Sequence, residues 1–260
     1  MDLGLHHKVI IVTGGTKGIG GAISKAIAAE GGIAVFIARS NEEGISLQNE
    51  MNTCNQEAFF IQADLTKQGN CEKVVAMAVE KYGRIDGLVN NAGRNDNVGL
   101  EMGTIDRFTT SLNENLLHYY EMAHYCLPEL KKTKGSILNI SSKVALTGQG
   151  GTSGYAAAKG AQLALTREWA TELLPFGIRV NAILPAEVMT PLYRNWLHSF
   201  KDPIKKQREI EQNIPLGKRM TTAEEIASLA VFLISEKSAH TTGQFLSPDG
   251  GYVHLDRSIT

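Results

Sequence analysis

Short apolar runs alternate with longer amphipathic segments along most of the chain. The runs are VIIVTG (9–14), IAVFIA (33–38), AFFIQAD (58–64), DGLVNNAG (86–93), SILNIS (136–141), IRVNAILP (178–185) and GQFLSPDG (243–250). Continuous apolar runs of this length read as strands buried on both faces, the signature of a parallel sheet rather than of one with a solvated side. Between them lie helix-like stretches, among others 20–31, 68–82, 104–131, 155–174 and 222–235. Repeated strand–helix units predict an α/β fold: one doubly wound, parallel sheet with helices on both faces. No internal repeat, low-complexity tract or linker divides the chain, so 1–260 reads as a single domain. One segment breaks the rhythm. Residues 186–214 interrupt a strand–helix crossover and mix aromatics with charges, which reads either as a solvated helical excursion or as a lid over a ligand.

Composition narrows the function classes. The 260 residues carry 26 basic and 27 acidic side chains, a formal net charge of −1, so no basic field points to nucleic acid. No apolar run approaches a membrane span, and the apolar stretch near the start is too short for a secretory signal and runs directly into glycines. Cys54, Cys71 and Cys126 lack disulfide or metal-ligand spacing, as expected of a protein in a reducing, cytoplasmic compartment. No His/Cys/carboxylate cluster offers a metal site.

Candidate chemistry begins at TGGTKGIG (13–20), which follows the first strand and opens a helix. Glycines at 14, 18 and 20 allow a tight turn and close approach to a pyrophosphate, and a helix N-terminus favours negative charge. The spacing G-x-x-x-G-x-G differs from the G-x-G-x-x-G fingerprint, but the strand–loop–helix context is the one that fingerprint requires. At the end of the second strand an acid would accept from the ribose of NAD, whereas an arginine accommodates the 2′-phosphate of NADP. Here the residues are Ala38, Arg39 and Ser40. With Lys17 adding positive charge, this predicts NADP as the preferred cofactor over NAD, although Glu42 and Glu43 weaken the field. Tyr155-Ala-Ala-Ala-Lys159 places a tyrosine and a lysine on one helical face, which is either a surface pair or the working end of an enzyme.

The glycine loop, NNAG (90–93) and Tyr155-x-x-x-Lys159 occur in order, at separations that resemble the short-chain dehydrogenase/reductase family over residues 8 to 252. The resemblance implies a Rossmann fold with seven parallel strands, tetrameric assembly, and a tetrad of Asn115, Ser142, Tyr155 and Lys159. It also implies cofactor contacts from Gly14, Thr16, Lys17, Gly18, Ile19 and Gly20, from Arg39 and Ser40, from Asp64 and Leu65, from Asn91, Ala92 and Gly93, from Tyr155 and Lys159, and from Pro185, Val188 and Thr190. The family's usual Pro-Gly after the sixth strand is Pro185-Ala186 here. Tyr155 would act as base, its pKa lowered from ~10 to about 7 by Lys159 and a cationic nicotinamide. Ser142 would bond the substrate oxygen, Lys159 would also hold the nicotinamide ribose, and Asn115 would anchor a water chain.

The stretches NLLHYYEMAHYCLPELK, TGQGGTSGY, PAEVMTPLYRNW and DGGYVHLDR are similar to those of bacterial L-fucose dehydrogenases within this family. That implies oxidation of an aldose at its anomeric carbon to a lactone. Asn95, Gln149, Glu187 and Trp196, beside Ser142 and Tyr155, are the expected sugar contacts, with His254 and Asp256 weaker candidates. The competing readings are reduction of a 3-oxoacyl thioester or a steroid ketone within the same family, and a nucleotide-binding regulator without catalysis, whose mark would be a damaged tetrad.

Overall fold

The computed structural model describes residues 2–255. Seven parallel strands form one sheet in the order β3-β2-β1-β4-β5-β6-β7: β1 Val9–Thr13, β2 Ile33–Ala38, β3 Ala58–Gln62, β4 Gly87–Asn90, β5 Ser136–Ile140, β6 Arg179–Ile183 and β7 Phe245–Leu246. The side chains of β1 and β2 alternate between two cores. Ile10, Val12, Ala34 and Phe36 pack on one face with α1 (Gly18–Ala29), α2 (Asn41–Thr53) and α9 (Ala223–Ile234). Val9, Ile11, Ile33, Val35 and Ile37 pack on the other with α3 (Asn70–Tyr82), α5 (His118–Thr133) and α6 (Ser153–Glu172). Burial on both faces is why these strands are continuously apolar. Every predicted strand is present, each trimmed by a residue or more except β2. Among the described residues no helix is long and apolar enough to cross a membrane.

Three features differ from, or refine, the expected pattern. The stretch predicted as one helix over 104–131 is divided: α4 (Ile105–Leu112) passes into a π turn at Asn113–Leu117 before α5 begins. Such wide turns cluster at functional sites because they displace the backbone carbonyls from their usual partners. The segment after β6 folds as two short helices, α7 (Pro191–Leu197) and α8 (Pro203–Gln212), each opened by a proline. The core beneath the strand ends is polar: Asn90 and Asn139 stand opposite one another in the β4–β5 ladder, with Asn90 Nδ2 donating to Asn139 Oδ1 at 3.1 Å.

Candidate active site

The strand order reverses between β1 and β4, and open α/β sheets bind ligands in the crevice outside the strand C-termini at such a point. A cavity of about 840 Å³ lies there. The β1–β4 junction is tied by Thr13, whose Oγ1 accepts from the backbone N–H groups of Asn91 (2.9 Å) and Ala92 (3.0 Å). Asn91 Nδ2 returns bonds to the carbonyls of Thr13 and Gly14. Gly14 has φ +63°, and a Cβ on Gly20 would stand 2.2 Å from the Gly14 carbonyl oxygen. The loop thus needs glycine at both positions. Helix α1 starts at Gly18 with no side-chain cap, leaving first-turn N–H groups pointing at the crevice, a ready anion site. These residues fit a dinucleotide pyrophosphate.

All the sequence-predicted cofactor residues line this cavity: Gly14, Thr16, Lys17, Gly18, Ile19 and Gly20; Arg39 and Ser40; Asp64 and Leu65; Asn91, Ala92 and Gly93; Tyr155 and Lys159; and Pro185, Val188 and Thr190. Two behave differently from expectation. Lys17 is not a free cation, because its ammonium pairs with Glu43 at 2.7 Å; the start of α2 brings that carboxylate opposite the glycine loop. Ser40 turns its hydroxyl to cap α2, accepting from Glu43 N–H at 3.3 Å. Arg39 is exposed at the cavity edge. Asp64 accepts from the Thr66 hydroxyl (2.8 Å) and N–H (3.1 Å). Partial burial raises its carboxyl pKa, and those two bonds together with Arg39 outweigh that and hold it below the usual value.

Ser142, Tyr155 and Lys159 converge on the inner end of the cavity. Ser142 sits where β5 gives way to a short 3₁₀ turn (Lys143–Ala145), and Tyr155 and Lys159 occupy successive turns at the start of α6. The Lys159 ammonium bonds the Ile140 carbonyl (2.7 Å), Gln162 Oε1 (3.2 Å) and Tyr119 Oη (3.3 Å), and lies 5.5 Å from the Tyr155 ring centre. Burial pushes Lys159 down to about 7 and pushes Tyr155 up to about 12, with the Ser142 hydrogen bond pulling Tyr155 the other way. Desolvation, rather than the neighbouring charge, sets both directions. Asn115 stands apart from the cavity lining, fully buried in the π turn. Its Oδ1 accepts from Arg94 N–H at 2.7 Å and its Nδ2 donates to the Ser111 carbonyl at 3.0 Å. Its backbone carbonyl accepts from Gln162 Nε2 at 2.7 Å.

The sugar-side expectations fare unevenly. Asn95 lines the cavity. Glu187 does not line it; its carboxylate is consumed by Lys143 and by the Tyr193 hydroxyl at 2.6 Å, because a buried carboxylate needs partners of its own. Gln149 is exposed in the loop before α6, outside the lining. Trp196 also lies outside it, 42% exposed, with its indole edge-on to Tyr193 (5.1 Å) and Phe200 (4.9 Å). Thr190 caps α7 by accepting from Tyr193 N–H at 3.2 Å, and this start point aims Leu192 and Tyr193, one turn before Trp196, at the cavity. His254 is exposed in the tail, and Asp256 lies outside the described residues. Sequence reasoning also missed Arg94 and Glu114, a bidentate ion pair on the cavity wall (2.9 and 3.0 Å). Their spacing of twenty residues carries no pattern.

Comparison with known proteins agrees with this geometry. The family described as Enoyl-(Acyl carrier protein) reductase matches residues 14–253. The L-fucose dehydrogenase of Rattus norvegicus is 37% identical over 245 residues, covering 94% of this chain and 88% of the relative. The crystal structure of Cj0485 dehydrogenase superposes with a TM-score of 0.95 at 50% identity, covering 100% of this chain and 99% of the other. L-sorbose reductase from Gluconobacter frateurii, complexed with NADPH and L-sorbose, superposes at 0.94 with 25% identity, covering 98% and 100%. With the glycine loop, the seven-stranded sheet and the Tyr155/Lys159 pair in place, the chain belongs to the short-chain dehydrogenase/reductase family and is an oxidoreductase.

Proposed function

We propose that the protein is an aldose dehydrogenase that oxidises L-fucose, or an aldopyranose close to it, at the anomeric carbon to a lactone, with NADP preferred over NAD. The observation that carries this reading is the convergence of Ser142, Tyr155 and Lys159 on the inner end of a dinucleotide-sized cavity. It is supported by the likeness to L-fucose dehydrogenase. A nicotinamide dinucleotide, when bound, accepts the hydride. The protein's part is to bind, orient and move a proton. The uncapped start of α1 and the glycine loop hold the pyrophosphate. Arg39 at the end of β2 provides a guanidinium for a 2′-phosphate, and no acid occupies that strand end. Ser142 Oγ donates to the anomeric oxygen, and Tyr155 Oη removes its proton. Burial favours the neutral Tyr155 hydroxyl; positive charge beside it, from Lys159 and from an oxidised nicotinamide when bound, would favour the phenolate.

The test is a screen of purified enzyme against aldoses with NADP and NAD, followed by absorbance of the reduced cofactor. Turnover of L-fucose or a stereochemical relative is the expected result. The family description fits acyl-carrier chemistry equally well in principle; an enzyme that reduces 3-oxoacyl thioesters and oxidises no aldose would overturn the sugar reading while leaving the family intact.

A further inference from the structure

The three N–H bonds of the Lys159 ammonium have three acceptors inside the protein, and one of these acceptors is a side chain three residues further along the same helix. Gln162 is completely buried. Its orientation is fixed at both ends: Nε2 donates to the Asn115 carbonyl at 2.7 Å, which turns Oε1 toward the ammonium. The opposite orientation would set an NH₂ group against an ammonium and an oxygen against a carbonyl, two repulsions in a dry site. The backbone beneath is anchored as well. Thr166 Oγ1 donates to the Gln162 carbonyl at 2.7 Å and accepts from Asn139 Nδ2 at 2.9 Å. The π turn makes this possible by presenting the Asn115 carbonyl to α6.

We propose that Gln162 is a positioning residue for the reaction: its amide bridges the Lys159 ammonium and the Asn115 carbonyl, holding the cation in place where a chain of water was expected to begin. The inference rests on the reading of Tyr155 as base and Lys159 as its charged neighbour, and is independent of which sugar is the substrate. The titratable groups facing Lys159 are Tyr119 and His118 from α5 and Tyr155 from its own helix. Burial holds both tyrosines neutral and pushes His118 down to about 4, so none of them supplies a negative charge at neutral pH. The ammonium is sustained by neutral oxygens, and Gln162 Oε1 is one of three. Without it Lys159 gives up its proton more readily, and the Tyr155 phenolate loses part of its cationic support.

The experiment compares the pH dependence of kcat/KM for oxidation in the full-length parent, Gln162→Leu and Gln162→Glu, using the best substrate from the aldose and thioester screen, run in the alcohol-oxidising direction. Gln162→Leu should move the ascending limb upward by about one pH unit, the scale of a lost charge-assisted bond to a titrating pair. Gln162→Glu keeps an oxygen for the ammonium but loses the donor to the Asn115 carbonyl, so its limb should move upward by clearly less than that of Gln162→Leu. Gln162→Met, close in volume, replaces the leucine variant if that fails to fold. Coincident profiles for parent and Gln162→Leu, or equal upward shifts in the Leu and Glu variants, would assign Gln162 to packing and overturn the proposal. Failure of the underlying reading is separable. Undiminished turnover by Tyr155→Phe removes the tetrad itself, whereas an inactive Tyr155→Phe beside an unmoved Gln162→Leu limb removes only the role of Gln162.

Discussion

The two sides of the cavity are built by different means. The cofactor side is made of strand ends and helix starts, cross-tied by bonds that engage the backbone, such as those from the Asn91 and Ala92 N–H groups to Thr13 Oγ1. The substrate side is made of α7 and the loops around it. It is held by side chains: Lys143 from the turn after β5, Glu187 from the loop after β6, Tyr193 from α7, and the Tyr252 ring 4.2 Å from the Lys143 ammonium. Leu192 and Trp196 on that side remain exposed. The cofactor residues are thus fixed by the topology of the sheet, whereas the wall carrying Tyr193 rests on one small side-chain cluster that substitution can alter without disturbing the sheet.

The largest expected effect lies at the meeting point of the two sides. Tyr155→Phe removes the base and nothing else, so turnover should fall by ~10²- to 10⁴-fold while NADPH binding, read by fluorescence titration, stays near the parent's. In the parent, oxidation should rise with pH as the neutral hydroxyl gives way to phenolate. A variant keeping more than a tenth of parental activity removes Tyr155 from the mechanism.

Next is the cluster itself. Glu187→Leu leaves the Lys143 ammonium, 12% exposed, without its carboxylate and with only the Tyr252 ring beside it among the contacts described. Breaking a buried pair costs roughly 3–5 kcal/mol, enough to lower the melting point by about ten degrees in a chain of this size. Lys143→Met combined with Glu187→Leu should recover most of that loss. A double variant as unstable as the single one would show that the substrate side does not depend on this pair.

The third prediction corrects an expectation. Tyr193→Ala should raise KM for the sugar by about tenfold or more, a lost pocket contact of 1–3 kcal/mol, and Trp196→Ala by clearly less. The reverse order would mean that Trp196 turns inward when substrate binds. The smallest effects belong to the cofactor side. Arg39→Asp should shift the NADP-to-NAD ratio of kcat/KM toward NAD by about tenfold. Glu43→Ala, which releases Lys17, should favour NADP by a few-fold at most, since exposed ion pairs are weak. A parent enzyme that already prefers NAD tenfold would contradict the reading of Arg39.

Much of this was legible in the chain. The strands announced themselves because both faces are buried, and the glycine loop and Tyr155/Lys159 because their chemistry demands fixed short spacings. What stayed hidden depends on geometry that spacing does not encode. Residues 104–131 keep helical periodicity straight through the π turn. Glu187 looked available because its partner Lys143 lies forty-four positions away. Trp196 was expected to contact the sugar, but the Thr190 cap sets the phase of α7 so that Tyr193 rather than Trp196 lines the cavity. Nothing in the sequence spacing signals the bond between Gln162 and the Asn115 carbonyl, forty-seven positions away.

The asparagine pair below the site bears on how the sheet assembles. Asn90 Nδ2 and Asn139 Oδ1 meet only because β4 and β5 are in their native register, and Asn139 Nδ2 is held in turn by the Thr166 hydroxyl. A slip of one strand by a single residue would throw its asparagine to the opposite face, into apolar layers, at a cost of roughly 1–3 kcal/mol for every polar group left without a partner. The pair is therefore expected to disfavour misaligned pairings of β4 and β5 during folding. Replacing both residues with leucine should leave secondary structure content intact but yield a refolded population with heterogeneous hydrogen-exchange protection across β4 and β5; uniform protection would deny the pair that role.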